Sequence, residues 1–214
     1  MIQSKLFSSL GVVHGYATRN EHVVKPERLV LGQQVHGMRI AVVKESDKGN
    51  ILMGIDGLVS KSLPLGVTFA DCVPILVVDQ KAKIIGTAHA GWKGTLAGIA
   101  PILITEMEKN GADRKNIYIS IGPHIGMSCY NVKEDRVDIF QKKFGNNKKI
   151  AIKINGEWHL DIGYANYQIL LEAGILKNHI EISDMCTSCQ NNIFHSFRKD
   201  KQSDFGVQLA ILSL

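Results

Sequence analysis

Two imidazoles and a thiol stand in short glycine-flanked or strand-like segments. They are His36 in Gln33-Gln34-Val35-His36-Gly37, Cys72 in Ala70-Asp71-Cys72-Val73-Pro74, and His89 in Thr87-Ala88-His89-Ala90-Gly91-Trp92. This donor set suits a borderline ion such as zinc, and three protein ligands leave one tetrahedral position for water or substrate. A bound zinc would hold Cys72 as thiolate, keep the histidines neutral and lower the pKa of a bound water. Cys72 and His89 also fit a thiolate–imidazole nucleophilic pair, a reading that leaves His36 without a task. Asp71 on a regular strand would point away from Cys72. A bend there would let it orient a ligand or move a proton, and capping a turn is the plain alternative.

Around these residues lie groups suited to an anionic or aromatic ligand. Trp92 could cover a base or sugar, Lys93 adds charge, and Gly94 lets the backbone approach a ligand closely ahead of a helix. His124, in Gly122-Pro123-His124-Ile125-Gly126, could contact substrate or phosphate or serve as a further ligand. Arg198 and Arg19 are candidates for bidentate phosphate contacts. Cys186 and Cys189 have metal or redox spacing but no second such pair, and Cys129 reads as packing.

Strands are expected over 39–44, 66–70, 75–78, 83–88, 116–121, 149–154 and 205–212, where Val and Ile gather, with a hairpin turn at Asp79-Gln80-Lys81. These strands would place Cys72 and His89 at one sheet edge. Helices are expected over 95–110, broken or kinked at Pro101, over 133–144, and over 164–173 ahead of Gly174. Hairpins mixed with helices give an α+β class rather than a doubly wound sheet, and no dinucleotide or P-loop fingerprint is present.

The 214 residues suffice for one domain spanning 1–214. A hydrophobic share of 45% reads as globular. No apolar run has transmembrane length and no secretory leader is expected. Four cysteines in so long a chain fit a reducing, cytoplasmic setting. A net charge of +5 permits anionic substrates. The lysines are scattered, and the densest stretch, 141–149, reads as a solvated helix end and loop, so nucleic acid is not expected as a partner.

Gln34-Val35-His36-Gly37, Asp56-Gly57, Ala70-Asp71-Cys72, His89-Ala90-Gly91-Trp92, Gly122-Pro123, Asp184 with Cys186-Thr187, and Phe197-Arg198-Lys199-Asp200 together resemble the YfiH/laccase-domain family. Its members are also described as multicopper polyphenol oxidase-like or purine nucleoside phosphorylase-like proteins. The resemblance implies a four-layer α/β/β/α sandwich with mixed sheets, and zinc on His36, Cys72 and His89. It further implies phosphorolysis of adenosine, inosine, guanosine and methylthioadenosine, with inorganic phosphate as co-substrate, and deamination of adenosine. Some members are linked to correcting peptidoglycan precursors. Copper is the less favoured metal, because the chain lacks a histidine-rich constellation. After Thr18-Arg19 the chain runs Asn20-Glu21-His22, where the family usually carries a glycine-rich turn, so the N-terminal region reads as shortened. The rival functions are a cysteine-dependent hydrolase acting on peptide-like cell-wall fragments and a non-enzymatic interaction protein.

Overall fold

The computed structural model describes residues 1–21 and 26–214, so part of the segment after Arg19 lies outside the described residues. Helices are α1 (Lys5–Ser9), α2 (Trp92–Ala97), α3 (Ile99–Lys109), α4 (Glu134–Phe144) and α5 (Ile162–Glu172). The first strands are β1 (Val13–Tyr16), β2 (Leu31–Gln33), β3 (Ile40–Val42), β4 (Ile51–Met53), β5 (Gly57–Ser60), β6 (Leu65–Phe69), β7 (Val73–Asp79) and β8 (Ile84–Ala90). They are followed by β9 (Ile117–Ile121), β10 (Asn131–Val132), β11 (Ala151–Ile154), β12 (Glu157–Leu160), β13 (Ile180–Ile182) and β14 (Gln208–Ser213).

A six-stranded mixed sheet runs in the order β13-β9-β7-β8-β5-β3. Its outer pairs, β13 with β9 and β3 with β5, are parallel, and the inner pairs are antiparallel. Every residue of β7 and β8 is buried. Their near-continuous apolar character follows from cover on both faces. Side-chain alternation splits β7: Ile75 and Val77 join a core with Leu103, Ile104 and Met107 of α3. Leu76 and Val78 instead join Val67, Phe69, Tyr16 and Ala210 from an antiparallel sheet ordered β1-β14-β6. Phe7 of α1 closes that second core. The result is a layered sandwich of helices and two packed sheets, with α1 against β1 of one sheet and β9 and β13 of the other, and with the small sheets β10-β12-β11 and β2-β4 beside them.

The expected 95–110 helix is two helices, broken at Gly98 in the left-handed region (φ 79°). Pro101 then falls in the first turn of α3, where a missing N–H forfeits no helical bond. Thr95 is buried within α2 and accepts a bond from Asn166 Nδ2 at 2.8 Å. The β7–β8 hairpin forms where Asp79-Gln80-Lys81 predicts it, with Asp79 paired to Ile84. Among the described residues no helix is long and apolar enough to cross a membrane.

Candidate metal centre and cavity

The ligating atoms of His36, Cys72 and His89 lie within 4.8 Å of one another. Each arrives on a different element. His89 is on β8, its backbone opposite Pro74 of β7. Cys72 sits in the turn that carries the chain from β6, in the three-stranded sheet, to β7, in the six-stranded one. The expected common sheet edge is therefore replaced by a junction between two sheets. Asp71 turns the chain there with a positive φ of 81°. His36 follows β2, which pairs in parallel with β4. Gln34 fixes this approach by mimicking a strand partner. Its amide donates to Thr68 O at 2.8 Å, and its oxygen accepts from Thr68 N at 2.8 Å and Thr68 Oγ1 at 2.9 Å.

Asp56 organises the cluster. It directly precedes β5, and its backbone oxygen accepts from His89 N at 2.8 Å. Its Oδ1 accepts from His36 N at 2.9 Å and faces His89 Nδ1 at 3.0 Å. Its Oδ2 accepts from Val35 N at 3.2 Å and Gly37 N at 2.9 Å. Three successive amides thus wrap one carboxylate in a backbone nest, and the positive φ of His36 (59°) gives the nest its curvature. Burial opposes ionisation of Asp56, but the bonds from His89, Gly37 and Val35 outweigh it and hold the carboxyl below its usual range. A carboxylate on Nδ1 fixes the proton there and leaves His89 Nε2 as the lone-pair nitrogen. Partial burial and the neighbouring His89 push the His36 pKa down, favouring the neutral form that ligates.

The donor set and its surroundings fit a single borderline ion. A β-carbon on Gly91 would come within 3.1 Å of both Cys72 Sγ and His36 Cδ2, so a side chain there would crowd two of the ligands. Burial, aided by the Asp71 and Asp56 carboxylates, pushes the metal-free Cys72 thiol up to about 12. A cation would reverse that balance.

The cluster opens into a cavity of about 810 Å³. Trp92, Tyr130, Phe197 and Phe205 supply aromatic wall, and Arg136 and Arg198 bring cationic groups. The Arg136 guanidinium stacks 4.4 Å from the Trp92 ring and donates to Tyr130 Oη at 3.2 Å. Arg198 lies over the Tyr130 ring at 5.3 Å and donates to Asn131 O at 2.9 Å.

The expected site residues divide. His36, Cys72, His89, Asp71, Trp92 and Arg198 line the cavity. Asp71 does not orient an imidazole. Its oxygens accept from Thr187 Oγ1 at 2.6 Å and from Arg198 N at 2.7 Å, so it ties the C-terminal loop to the Cys72 turn. His124, expected at the substrate, is buried elsewhere, its Nδ1 2.8 Å from Gly122 O and its ring against Gly163 of α5. Arg19, expected at phosphate, pairs with Asp200 and donates to Phe194 O, lining a separate shallow pocket. Lys93 is exposed beside Trp92, and Gly94 packs toward Gly37 O; neither lines the cavity. The residues absent from the sequence-based set are Asp56, Arg136 and Tyr130. An Asp-Gly pair reads as an ordinary turn, and Arg136 reads as the solvent side of an amphipathic helix, so only Asp56 left a trace, through the family resemblance.

A family model described as multi-copper polyphenol oxidoreductase laccase matches residues 14–214. A purine nucleoside phosphorylase YlmD of Geobacillus stearothermophilus is 37% identical over 187 residues, covering 82% of this chain and 68% of that protein. An adenosine deaminase RL5 from an unknown prokaryotic organism is 35% identical over 182 residues, covering 80% of this chain and 70% of that protein. Among solved structures, YlmD from Geobacillus stearothermophilus superposes with a TM-score of 0.87 at 30% identity, covering 98% of this chain and 93% of that one. A Bacillus licheniformis protein, YfiH, gives 0.86 at 29%, covering 96% and 93%. With nearly its whole length matched and its sandwich shared, the chain belongs to the multi-copper polyphenol oxidoreductase laccase family, the YfiH-type laccase-domain proteins.

Proposed function

We propose that this chain is a zinc-dependent enzyme of purine nucleosides, cleaving them by phosphorolysis and deaminating adenosine. The observation that carries the reading is a three-ligand cluster of His36, Cys72 and His89 facing a cavity with aromatic and arginine walls. The names of the similar proteins, a phosphorylase and a deaminase, support the same substrate class. Two imidazoles and one thiolate favour one zinc over several coppers, for which histidine-rich ligand sets would be needed.

Zinc held by His36, Cys72 and His89 would supply Lewis acidity at its open fourth position. The chain's own groups do the rest. Trp92 and Tyr130 offer flat faces for a purine, and their arginine partners leave one face of each ring polarised. Arg136 and Arg198 attract and orient the phosphate dianion. In phosphorolysis a phosphate oxygen bonds to C1′ as the C1′–N9 bond breaks, and the base leaves with that electron pair and takes up a proton. Asp71 positions rather than donates: both its oxygens already accept hydrogen bonds. Asp56 keeps the ligating nitrogen of His89 free by holding its other nitrogen.

The test is purified, metal-analysed protein given adenosine with and without inorganic phosphate. Adenine formed only with phosphate, and inosine formed without it, are the expected products. Loss of both in His36→Ala with folding retained supports the metal role. Neither product from zinc-loaded protein overturns the assignment. Turnover unchanged after metal removal, with a covalent adduct on Cys72, would move it to the thiol-hydrolase reading.

A further inference from the structure

We propose that Cys129, Cys186 and Cys189 form a second metal site, one that binds a thiophilic divalent ion such as zinc and pins two cavity loops together. Their sulfurs lie within 4.8 Å of one another. Sulfurs around a tetrahedral zinc, each about 2.3 Å from the ion, stand about 3.8 Å apart, so the three need only small adjustments to share one. Sequence spacing offered a pair, Cys186 and Cys189. The fold supplies the third, because the turn at Met127–Cys129 lies against the segment that begins at Cys186, with His124 and Cys186 bridging in parallel.

The surroundings are those of a metal-bound sulfur. Cys186 Sγ accepts two backbone N–H groups, from Gly126 at 3.1 Å and from Cys189 at 3.3 Å. Two donors aimed at one sulfur fix its direction, as outer hydrogen bonds do for a metal ligand. Cys129 and Cys189 approach to 2.9 Å, a separation far longer than a disulfide bond of about 2.05 Å. A disulfide between them would leave Cys186, with its two amide donors, outside the bond. An ion uses all three. Cys189 is exposed and Ser128 Oγ stands 4.0 Å from its sulfur, so the fourth position faces solvent. Binding deprotonates the thiols and releases their protons to solvent, with no change of oxidation state.

The residues flanking these cysteines give the site a purpose. Tyr130, next to Cys129, lines the cavity. Thr187, next to Cys186, donates to Asp71 beside the Cys72 ligand. An ion here would clamp the 126–130 turn to the 186–198 segment, which also carries Phe197 and Arg198.

The experiment takes the full chain, stripped by chelator under a phosphine reductant, and titrates it with Zn²⁺ and with Co²⁺. Two ions per chain are expected, falling to one in Cys189→Ser and in Cys129→Ser. His36→Ala should keep the cobalt–thiolate charge-transfer band of the cysteine site, and His36→Ala/Cys189→Ser should lose it. Zinc should also slow alkylation of Cys129, Cys186 and Cys189 at least tenfold, read by peptide mass mapping. A single ion in the native chain that persists in Cys189→Ser overturns the proposal. So does alkylation of the three cysteines at equal rates with and without zinc.

Discussion

Replacing Asp56 by Asn separates the organising carboxylate from mere bulk at the centre of the site. The amide keeps the shape but turns one of two acceptor atoms into a donor. If the carbonyl faces His36 N and His89 Nδ1, the NH₂ group confronts the N–H groups of Val35 and Gly37. If it is flipped, the NH₂ faces His89 Nδ1 and forces that nitrogen to accept, which moves the proton to Nε2, the nitrogen needed for metal. Each bond to a buried carboxylate is worth about 1.5–3 kcal/mol, so losing two costs about 3–6 kcal/mol before relaxation. Taking the lower figure, at ~2–4 °C per kcal/mol for a chain of this size, the metal-free melting temperature should drop by about 6–12 °C. Metal affinity should fall roughly 10–100-fold, as when such an outer carboxylate is removed from a histidine ligand. Thermal unfolding of the metal-free protein and competition with a chromophoric chelator read the two effects, with circular dichroism confirming the fold. An Asn variant that melts and binds zinc like the native chain would show that Asp56 does not organise this cluster.

Metal removal should leave Cys72 unreactive rather than activated. With its thiol pushed up to about 12 by burial and two carboxylates, its thiolate fraction at pH 8 is roughly three orders of magnitude below that of a free cysteine. Iodoacetamide labelling mapped by mass spectrometry should therefore find Cys72 nearly unmodified in chelator-treated protein, and rapid labelling would restore the nucleophilic-thiol reading. Alkaline stability should be governed in part by Tyr16, whose pKa is raised by burial, against a smaller lowering from its bond to Ser120. Its folded pKa lies above the unfolded value of about 10, so its contribution is complete below that pH and lost as pH rises beyond it. Denaturant midpoints measured from pH 8 to 11 should fall above pH 10, and less steeply in Tyr16→Phe; equal slopes in the two proteins would refute the assignment.

The parts of the molecule legible in the sequence are those whose signal is local. The buried hairpin β7–β8 shows itself as two apolar runs around Asp79-Gln80-Lys81, and α4 shows its face in Val137, Phe140 and Phe144. The strands β2, β4 and β13 have three residues each, too few for alternation to emerge. Gly98 was hidden within a helical pattern, because a single left-handed residue interrupts the backbone without interrupting the apolar spacing. Three cavity-lining side chains, His36, Cys72 and His89, could be picked out because histidine and cysteine are scarce and each stands within two residues of a glycine or proline. His124, beside Pro123, carried the same local signal, and the fold sent it elsewhere, as it did Arg19. Residue type near a turn therefore marks a candidate, and only tertiary direction separates a cavity residue from a packed one.

That direction comes from how the two sheets are joined. β6 ends in one sheet and β7 begins in the next, so the three residues between Phe69 and Val73 must bridge a gap that a straight strand cannot. Asp71 accepts a left-handed backbone to make the crossing, a conformation that costs about 1–3 kcal/mol in residues other than glycine. Its carboxylate offsets this by accepting from Thr187 and Arg198, and its carbonyl accepts from Ile125 N at 3.0 Å. His36 repeats the arrangement, with its positive φ held by Asp56. Among the described residues, two of the four non-glycine residues with positive φ thus stand at the centre, each secured by a buried carboxylate. Asp71 and Asp56 are equivalent in backbone mechanics and opposite in chemistry. Asp56 spends its remaining acceptor on an imidazole and sets the ligand, whereas Asp71 spends its own on the loop that closes over the cavity. The sequence context of each, Asp before Gly and Asp before Cys, could not separate those roles. The partner arriving from a distant strand or loop does.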